Sequence, residues 1–269
     1  MKKVVHFLIA VPCIYLMSCA NNDKNDDNTD GSTPANTTAS APMINYSVVA
    51  VYPHDTSSFT QGLVFNNGEF LEGTGNYGHS MLYQVDLKTG KQLRKVALDP
   101  KFFGEGITVL HDTLYQLTWQ EKTVLVYSAK DFKKIKEFPL NTQGWGITND
   151  GKNLIVSDGS SNLYFYDPST FQLMRTQGVT ENGAPAVNIN ELEYIDGFVY
   201  ANQWQYNYIL KIDPNSGQVV AKMDLTDLVN RVKAKDPQAD VLNGIAYDPA
   251  TKKVYVTGKF WPDLYEIKF

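Results

Sequence analysis

A short motif recurs five times along this chain of 269 residues. Its second position is glycine in four copies and glutamate in one, and leucine or isoleucine follows. The copies are Gln61-Gly62-Leu63, Glu105-Gly106-Ile107, Trp145-Gly146-Ile147, Asn190-Glu191-Leu192 and Asn243-Gly244-Ile245. Each copy begins an apolar run, and a second apolar run after it ends in Gly75, Trp119, Gly159, Trp204 or Lys259. A period of about 40 to 55 residues indicates an array of similar units packed side by side.

Each unit contains further strand-like segments. The third segment has an alternating pattern, as in Leu82-Tyr83-Gln84-Val85-Asp86, and a turn rich in Asp, Pro and Gly follows it. These residues supply the backbone geometry that reverses a strand. A fourth segment completes four of the units, at residues 92–98, 134–140, 172–179 and 218–225. Four short strands per repeat are typical of the blade of a β-propeller.

The sequence therefore predicts an all-β fold, a five-bladed β-propeller over residues 44–269. The fifth unit lacks a fourth segment, whereas a spare strand at residues 46–52 precedes the first unit. Pairing of this N-terminal strand in the last blade would close the ring and cover an open sheet edge. A short helical insertion is predicted between blades four and five from apolar residues at helical spacing, Leu225, Leu228, Val229 and Val232.

Residues 1–18 have the composition of a signal peptide. Lys2 and Lys3 precede an apolar stretch that is too short to span a bilayer as a permanent helix. The sequence Leu16-Met17-Ser18-Cys19 resembles a bacterial lipobox, which implies cleavage before Cys19 and a lipid on its thiol. Ordinary secretion with cleavage near Ala20 is the alternative. Residues 19–43 are polar and are expected to form a disordered tether, so we expect a lipid-anchored protein of the bacterial cell envelope, periplasmic or on the outer surface.

Composition excludes several classes of chemistry. The two cysteines, Cys13 and Cys19, both lie in or at the end of the signal region, so the folded part has no disulfide and no thiol nucleophile. The net charge of −5, without clusters of Lys or Arg, argues against nucleic acid as a partner. Few histidines remain in the folded part, and they are too dispersed to predict a zinc site. His54-Asp55 has the form of an acid–base pair, but a structural role in a turn is the expected one.

The varied positions of the repeat predict a pocket. In a propeller the first strand of each blade lines the central axis, and its start lies at the same face as the end of the second strand. An inner ring is therefore predicted from Gln61, Glu105, Trp145, Asn190 and Asn243. An outer ring is predicted from Gly75, Trp119, Gly159, Trp204 and Lys259.

The chemistry of these rings suggests roles, each with a plainer alternative. Glu105 is the only carboxylate of the inner ring, and neighbouring indoles should raise its pKa toward the working pH, as a proton carrier requires. Alternatively, it accepts backbone hydrogen bonds across a blade junction. Lys259 can pair with Glu105 or with a substrate oxygen, or it is an ordinary exposed lysine. Trp119, Trp145 and Trp204 are predicted pocket walls rather than core residues. The amides of Gln61, Asn190 and Asn243 either cap strand ends or hold a substrate.

The motifs resemble those of a known enzyme family, the plant-type glutaminyl cyclases of plants and bacteria. The resemblance covers most of residues 48–267. It is carried by Phe59-Thr60-Gln61-Gly62-Leu63, Phe103-Gly104-Glu105-Gly106-Ile107, Leu117-Thr118-Trp119, Gly144-Trp145-Gly146, Asn190-Glu191-Leu192-Glu193, Asn202-Gln203-Trp204, Leu242-Asn243-Gly244-Ile245 and Val256-Thr257-Gly258-Lys259. The resemblance implies a five-bladed propeller that converts an N-terminal glutamine of a peptide into pyroglutamate and releases ammonia.

The resemblance also assigns roles to single residues. It implies that Glu105 is the catalytic carboxylate and that Gln61, Asn190 and Lys259 contact the substrate. It implies pocket aromatics at Phe59, Phe103, Trp119, Trp145 and Trp204. The resemblance also raises the question of a structural calcium ion, which some members of the family hold. The sequence offers no clear set of ligands for such an ion.

The expected reaction is attack of the peptide α-amine on the side-chain amide carbon, with Glu105 carrying the proton to the leaving nitrogen. Gln61 and Asn190 would orient the substrate, and Lys259 or a backbone N–H would stabilise the developing oxyanion, without metal or organic cofactor. The expected partners are a peptide or protein with N-terminal glutamine and, through Cys19, a membrane; a monomer is expected. Two alternatives remain open: a metal-dependent, lactonase-like propeller hydrolase that uses Glu105, Asn190 and Asn243, and a non-enzymatic surface lipoprotein that binds ligands.

Overall fold

The computed structural model describes residues 40–269 and contains five four-stranded antiparallel sheets. A first strand, β1, covers Ser47–Pro53. Blade one contains β2 Thr60–Asn66, β3 Glu69–Thr74, β4 Met81–Val85 and β5 Gln92–Ala97. Blade two contains β6 Gly104–Leu110, β7 Thr113–Thr118, β8 Thr123–Ser128 and β9 Lys134–Pro139. Blade three contains β10 Ile147–Asn149, β11 Leu154–Val156, β12 Asn162–Tyr166 and β13 Leu173–Gly178.

The remaining elements follow in chain order. A two-stranded ribbon, not anticipated from the sequence, consists of β14 Thr180–Glu181 and β15 Ala184–Pro185. Blade four contains β16 Ile189–Ile195, β17 Phe198–Gln203, β18 Tyr208–Ile212 and β19 Val219–Asp224. The helix α1, Thr226–Lys235, leads to blade five, with β20 Leu242–Asp248, β21 Lys253–Gly258 and β22 Asp263–Lys268. The strand order of blade five is β1-β22-β21-β20, so the prediction of a five-bladed propeller closed by an N-terminal strand is confirmed.

The hydrophobic core is divided into five clusters. Most side chains of the innermost strands are buried, whereas those of the outermost strands alternate or are largely exposed. Because each blade packs against two neighbours, both faces of its inner strands are covered, which explains their continuous apolar runs. Between blades one and two, for example, Leu71, Ile107 and Leu114 pack in one cluster. The core therefore lies between blades rather than in one central mass.

Glycines allow the innermost strands to meet at the axis. A Cβ atom added to Gly106 would lie 2.7 Å from the carbonyl oxygen of Trp145 in the next blade, and one on Gly62 or Gly146 would lie closer still to backbone atoms. Only glycine leaves room for this approach. In blade four Glu191 occupies the corresponding position. Its carboxyl oxygens accept hydrogen bonds from the backbone N–H groups of Leu63 (3.3 Å) and Ile245 (2.9 Å), which ties blade four to blades one and five.

A buried histidine joins the closing strand to blade one. His54 directly follows β1, and its Nδ1 donates a hydrogen bond to the carbonyl oxygen of Trp261 at 2.7 Å. Its Nε2 lies 3.2 Å from Oε1 of Glu72, which also accepts a hydrogen bond from the Thr60 hydroxyl. Asp55 instead accepts hydrogen bonds from the backbone and hydroxyl of Ser57 in its own turn. The two side chains therefore have different partners, and His54 has a structural role.

The chain packs on the propeller slightly before the expected boundary at residue 44. Ala41 is buried against blades three and four. The carbonyl oxygen of Pro42 accepts a hydrogen bond from the N–H of Lys222, and Ile44 donates one back to the Lys222 carbonyl oxygen. The predicted signal peptide, the predicted lipidation site Cys19 and the predicted tether as far as residue 39 lie outside the described residues.

The single helix of the described part of the chain agrees with its predicted position. Its buried residues are Leu228, Val229 and Val232, which share one face. Leu225 is the N-cap, and the N–H of Thr226 is bound by the carboxylate of Asp224 rather than by a capping side chain at position 225. Within residues 40–269, no helix has the length and apolar character needed to cross a membrane.

We expect His54→Gln to lower the free energy of unfolding by about 1–3 kcal/mol at pH 6, because the buried Glu72 carboxylate loses a charged partner. Burial alone would lower the pKa of His54, but Glu72 and the Trp261 carbonyl oxygen raise it on balance. Stability from the charged imidazole is then complete below the unfolded-state pKa of about 6.5 and is lost as the pH rises through the folded-state value.

Urea denaturation of wild type and His54→Gln between pH 5.5 and 9 measures this effect. The difference between them should shrink as the pH rises. His79→Gln, at an exposed position, is the matched control and should show no such trend. A difference that does not change with pH would show that the imidazole contributes through packing alone.

Candidate active site

One cavity of about 360 Å³ opens at the face where the innermost strands begin. It is lined by residues from all five blades or their loops. These are Phe59, Gln61, Asn76, Phe103, Glu105, Trp119, Trp145, Asn190, Trp204, Asp240 and Lys259. All the aromatic candidates, both amides that the family resemblance implied, and the Glu105 and Lys259 side chains are brought together here. The pocket predicted from the repeat is therefore present as a geometric feature.

Among the five residues predicted for the inner ring, Asn243 is the one that does not line the cavity, so the expectation is wrong at this position. Its Nδ2 donates a hydrogen bond to the carbonyl oxygen of Thr60 at 3.0 Å and approaches Oε1 of Gln61 at 3.4 Å. The side chain is fully buried and turns toward blade one. Asn243 therefore contacts the side chain of Gln61, which lines the cavity, and does not itself line the cavity.

The two glycines of the outer ring make room for aromatic side chains. A Cβ atom on Gly75 would lie 2.8 Å from Cζ of Phe103, and one on Gly159 would lie 2.7 Å from the indole of Trp145. Gly159 also has a φ of +81°, which disfavours any other residue. Blades one and three therefore use glycine at this position because a ring already fills the space.

The aromatic lining is built from rings that contact each other by their edges. Trp145 and Trp204 have ring centroids 5.5 Å apart at 87°, and Phe103 and Trp119 have centroids 5.5 Å apart at 62°. Phe59 contacts Phe103 in the same manner at 6.1 Å. Such edge-to-face contacts hold the rings in defined orientations. The lining is therefore a preformed apolar wall, suited to the aliphatic part of a ligand and to the exclusion of water.

Glu105 is buried at the inner end of this cavity. Burial raises the pKa of its carboxyl group well above the ordinary value; the nearby Lys259 charge opposes the shift and Glu121 adds to it. The direction is the one that the sequence predicted. The carboxyl group forms no hydrogen bond with any other side chain or backbone group of residues 40–269, and it faces the cavity. The alternative role, accepting backbone hydrogen bonds across a blade junction, belongs to Glu191 instead.

Lys259 is almost completely buried, so it is not an ordinary exposed lysine. Burial lowers the pKa of its ammonium group, while the charges of Glu105 and Asp240 oppose that change. Its Nζ lies 4.4 Å from the centre of the Phe59 ring, within cation–π distance. Within the described residues it forms no direct ion pair. The cavity thus contains a buried acid, Glu105, and a buried base, Lys259, that are close enough for their charges to act on each other.

Two lining residues, Asn76 and Asp240, were missed by sequence reasoning. Asn76 follows the outer-ring position Gly75 and has a φ of +83°. It is not one of the repeated positions, so comparison of the repeats did not identify it. Asp240 comes from the loop between α1 and β20, which has no counterpart in the other blades. No sequence signal distinguishes Asp240 from other surface carboxylates. No group of three or more His, Cys, Asp or Glu side chains that could hold a metal ion is found in residues 40–269.

Comparison with known proteins supplies evidence that is independent of the geometry of the cavity. A family model described as glutamine cyclotransferase matches residues 14–269. A glutaminyl-peptide cyclotransferase of Arabidopsis thaliana is 42% identical over 224 residues, which are 82% of this chain and 70% of that protein. The crystal structure of Myxococcus xanthus glutaminyl cyclase is similar with a TM-score of 0.78 and 36% identity, and the match covers 83% of this chain and 95% of that one.

We expect the Glu105 carboxyl group to titrate well above a normal glutamate, and Lys259→Met to raise its pKa further, because the substitution removes the charge that opposes the shift. Carbon-13 NMR of glutamate side-chain carboxyl groups, with Glu105→Gln for assignment, measures this titration. Lys233→Met, at an exposed position of α1, is the control and should leave the titration unchanged. A normal titration in the wild-type protein would remove the electrostatic basis for a proton carrier at this position.

Proposed function

This chain belongs to the glutamine cyclotransferase family, and we propose that its cavity converts the N-terminal glutamine of a peptide or protein into pyroglutamate and releases ammonia. One observation carries the proposal: a single buried carboxyl group with a raised pKa lies in an aromatic cavity that is open at one face. An open face admits a chain end, and the carboxyl group can exchange a proton with it. The function is therefore that of a glutaminyl-peptide cyclotransferase.

The reaction needs proton movement more than binding energy. A bond forms between the α-amino nitrogen and the side-chain amide carbon of the glutamine, and the bond from that carbon to the amide nitrogen breaks. The amine must lose one proton and the leaving nitrogen must gain one, so that ammonia departs. Glu105, whose pKa is raised by burial, takes the first proton as a base and delivers it as an acid. No atom of Glu105 becomes part of the product.

The other polar side chains orient the substrate and stabilise charge. Negative charge develops on the amide oxygen during the attack, and Lys259 is the cation of the cavity that can stabilise it. The amides of Gln61 and Asn190 provide donors and acceptors for the amine and the carbonyl group. Asn243 holds the Gln61 carboxamide in place from behind.

The aromatic walls favour cyclisation over hydrolysis. Trp119, Trp145 and Trp204 supply apolar surface for the methylene groups of the glutamine and leave little room for water beside the amide carbon. Holding the amine against that carbon makes the intramolecular attack the preferred one. The scheme uses side-chain chemistry only and requires no metal, so activity should persist in EDTA.

We expect Glu105→Gln to lower kcat by about 10²–10⁴-fold, because the amide keeps the size of the side chain but carries no exchangeable acid. The assay follows ammonia release from a glutamine-initiated peptide by mass spectrometry, with and without EDTA. Glu69→Gln, on the exterior of blade one, is the matched control and should retain wild-type kcat. A Glu105→Gln enzyme with near-normal kcat would falsify the role given to this carboxyl group.

We further propose that the protein is a monomeric, lipid-anchored enzyme of the bacterial cell envelope. The N-terminal sequence supports the anchor, since basic residues, an apolar stretch and Leu16-Met17-Ser18-Cys19 occur in the order of a lipoprotein signal. A monomer is supported because β1 of the same chain completes blade five, so closing the ring needs no second chain. Light scattering of the soluble part measures the mass directly.

Cys19→Ala should move the protein from the membrane fraction to the soluble fraction and abolish labelling by a radioactive fatty acid, because the thiol is the proposed site of lipid attachment. Cys13→Ala changes the other cysteine within the same apolar region and should have neither effect. Membrane association that survives Cys19→Ala would argue for an uncleaved or differently anchored N-terminus.

A further inference from the structure

The rim of the cavity differs between its two sides. Blades two, three and four contribute the indoles of Trp119, Trp145 and Trp204. Blades five and one contribute Lys259 and Asn76, and the loop before blade five contributes Asp240. One side of the cavity is thus lined by indoles, and the other carries two charged side chains and an amide beside the ring of Phe59. A peptide that inserts its first residue must leave the cavity across this rim.

Asp240 is held at the rim by its backbone alone. Its N–H donates a hydrogen bond to the carbonyl oxygen of Lys259 at 2.8 Å, and its own carbonyl oxygen accepts one from the indole Nε1 of Trp261 at 2.9 Å. Trp261 is completely buried in the core of blades four and five. The position of Asp240 is therefore fixed by the fold.

The side chain of Asp240, in contrast, makes no direct contact that would stabilise the fold within the described residues. The residue is exposed, and its carboxylate accepts no hydrogen bond and forms no ion pair with another of residues 40–269. Its negative charge acts on the nearby Lys259. A carboxylate that lines an active-site entrance, on a fixed backbone and without a direct partner, is available to a ligand.

The size of the cavity decides which part of a ligand meets Asp240. A volume of about 360 Å³ lies near the lower end of the range for small-molecule sites, so the cavity holds a terminal residue and not a longer segment. If the proposed function is right, the glutamine fills the cavity and the following residue lies at the rim. From this placement we infer that Asp240 selects substrates by charge, favouring a lysine or arginine directly after the glutamine and disfavouring an acidic residue there.

The test compares kcat/KM for three peptides that differ only in the second residue, which is lysine, alanine or glutamate. For the wild-type enzyme we expect the lysine peptide to exceed the alanine peptide by about two- to five-fold, and the glutamate peptide to fall below it by a similar factor, as exposed charge pairs usually give. Raising the salt concentration to 1 M should reduce both ratios toward one.

Asp240→Asn should remove the charge preference, so that the ratios of kcat/KM among the three peptides approach one. Asp240→Lys should invert the preference. Asp112→Asn makes the same change of charge in the turn between β6 and β7, at the opposite end of the strands from the cavity, and should keep the wild-type ratios. Thermal unfolding of each variant establishes that the loop remains folded.

The outcomes separate this inference from the function on which it rests. If Asp240→Asn lowers kcat/KM equally for all three peptides, Asp240 acts through Lys259 and the inference is overturned. Wild-type ratios that already equal one at low salt overturn it as well, although the proposed function stands. Conversion of none of the peptides by the wild-type enzyme overturns both.

Discussion

At the axis, Gly62, Gly106 and Gly146 bring the backbones of neighbouring innermost strands so close together that a Cβ atom would not fit between them. This close approach determines how near the innermost strands lie to one another. It also determines the positions of the cavity residues, because the residue before each of these glycines lies at the mouth of the axis. Gln61, Glu105 and Trp145 occupy that place in blades one to three. Glu191 takes the place of the fourth glycine, and its carboxyl group accepts one hydrogen bond from neighbouring blade five and one from blade one across the ring. The geometry of the cavity thus depends on the backbone contacts that these glycines make at the axis.

The buried carboxyl groups near the axis show how one physical effect serves two purposes. Burial raises the pKa of Glu105, of Glu191 and of Glu193, the last to about 8. The oxygens of Glu191 and Glu193 accept backbone hydrogen bonds from strands of other blades, so these groups hold the fold together. The Glu105 carboxyl group has no such bond and faces the cavity instead. Because its desolvation is not offset by fixed donors, its proton is available to a substrate.

The environment of Lys259 balances that of Glu105. Burial lowers the pKa of the ammonium group, and the facing carboxyl groups oppose the shift, so the charge state of each depends on the other. Asp240 joins this set from outside, at the entrance. The cavity therefore has an interior where charge is poorly solvated and a rim where it is well solvated. In our proposals, catalysis takes place in the interior and discrimination among peptides takes place at the rim, where interactions are weaker and depend on salt.

The sequence by itself determined the number of blades, the closure by an N-terminal strand, and the residues at the repeated positions, including Glu105, Lys259 and the three indoles of the wall. These followed because a repeat places equivalent residues at equivalent points in space. The repeat was not sufficient to predict side-chain positions where neighbouring side chains compete for the same volume. It assigned Asn243 to the cavity, although the side chain turns toward Thr60 and Gln61, and it gave no reason why Gly75 and Gly159 are glycines. Asp240 and the cross-axis role of Glu191 were decided by the tertiary structure alone, because their neighbours come from distant segments that only the closed ring brings together.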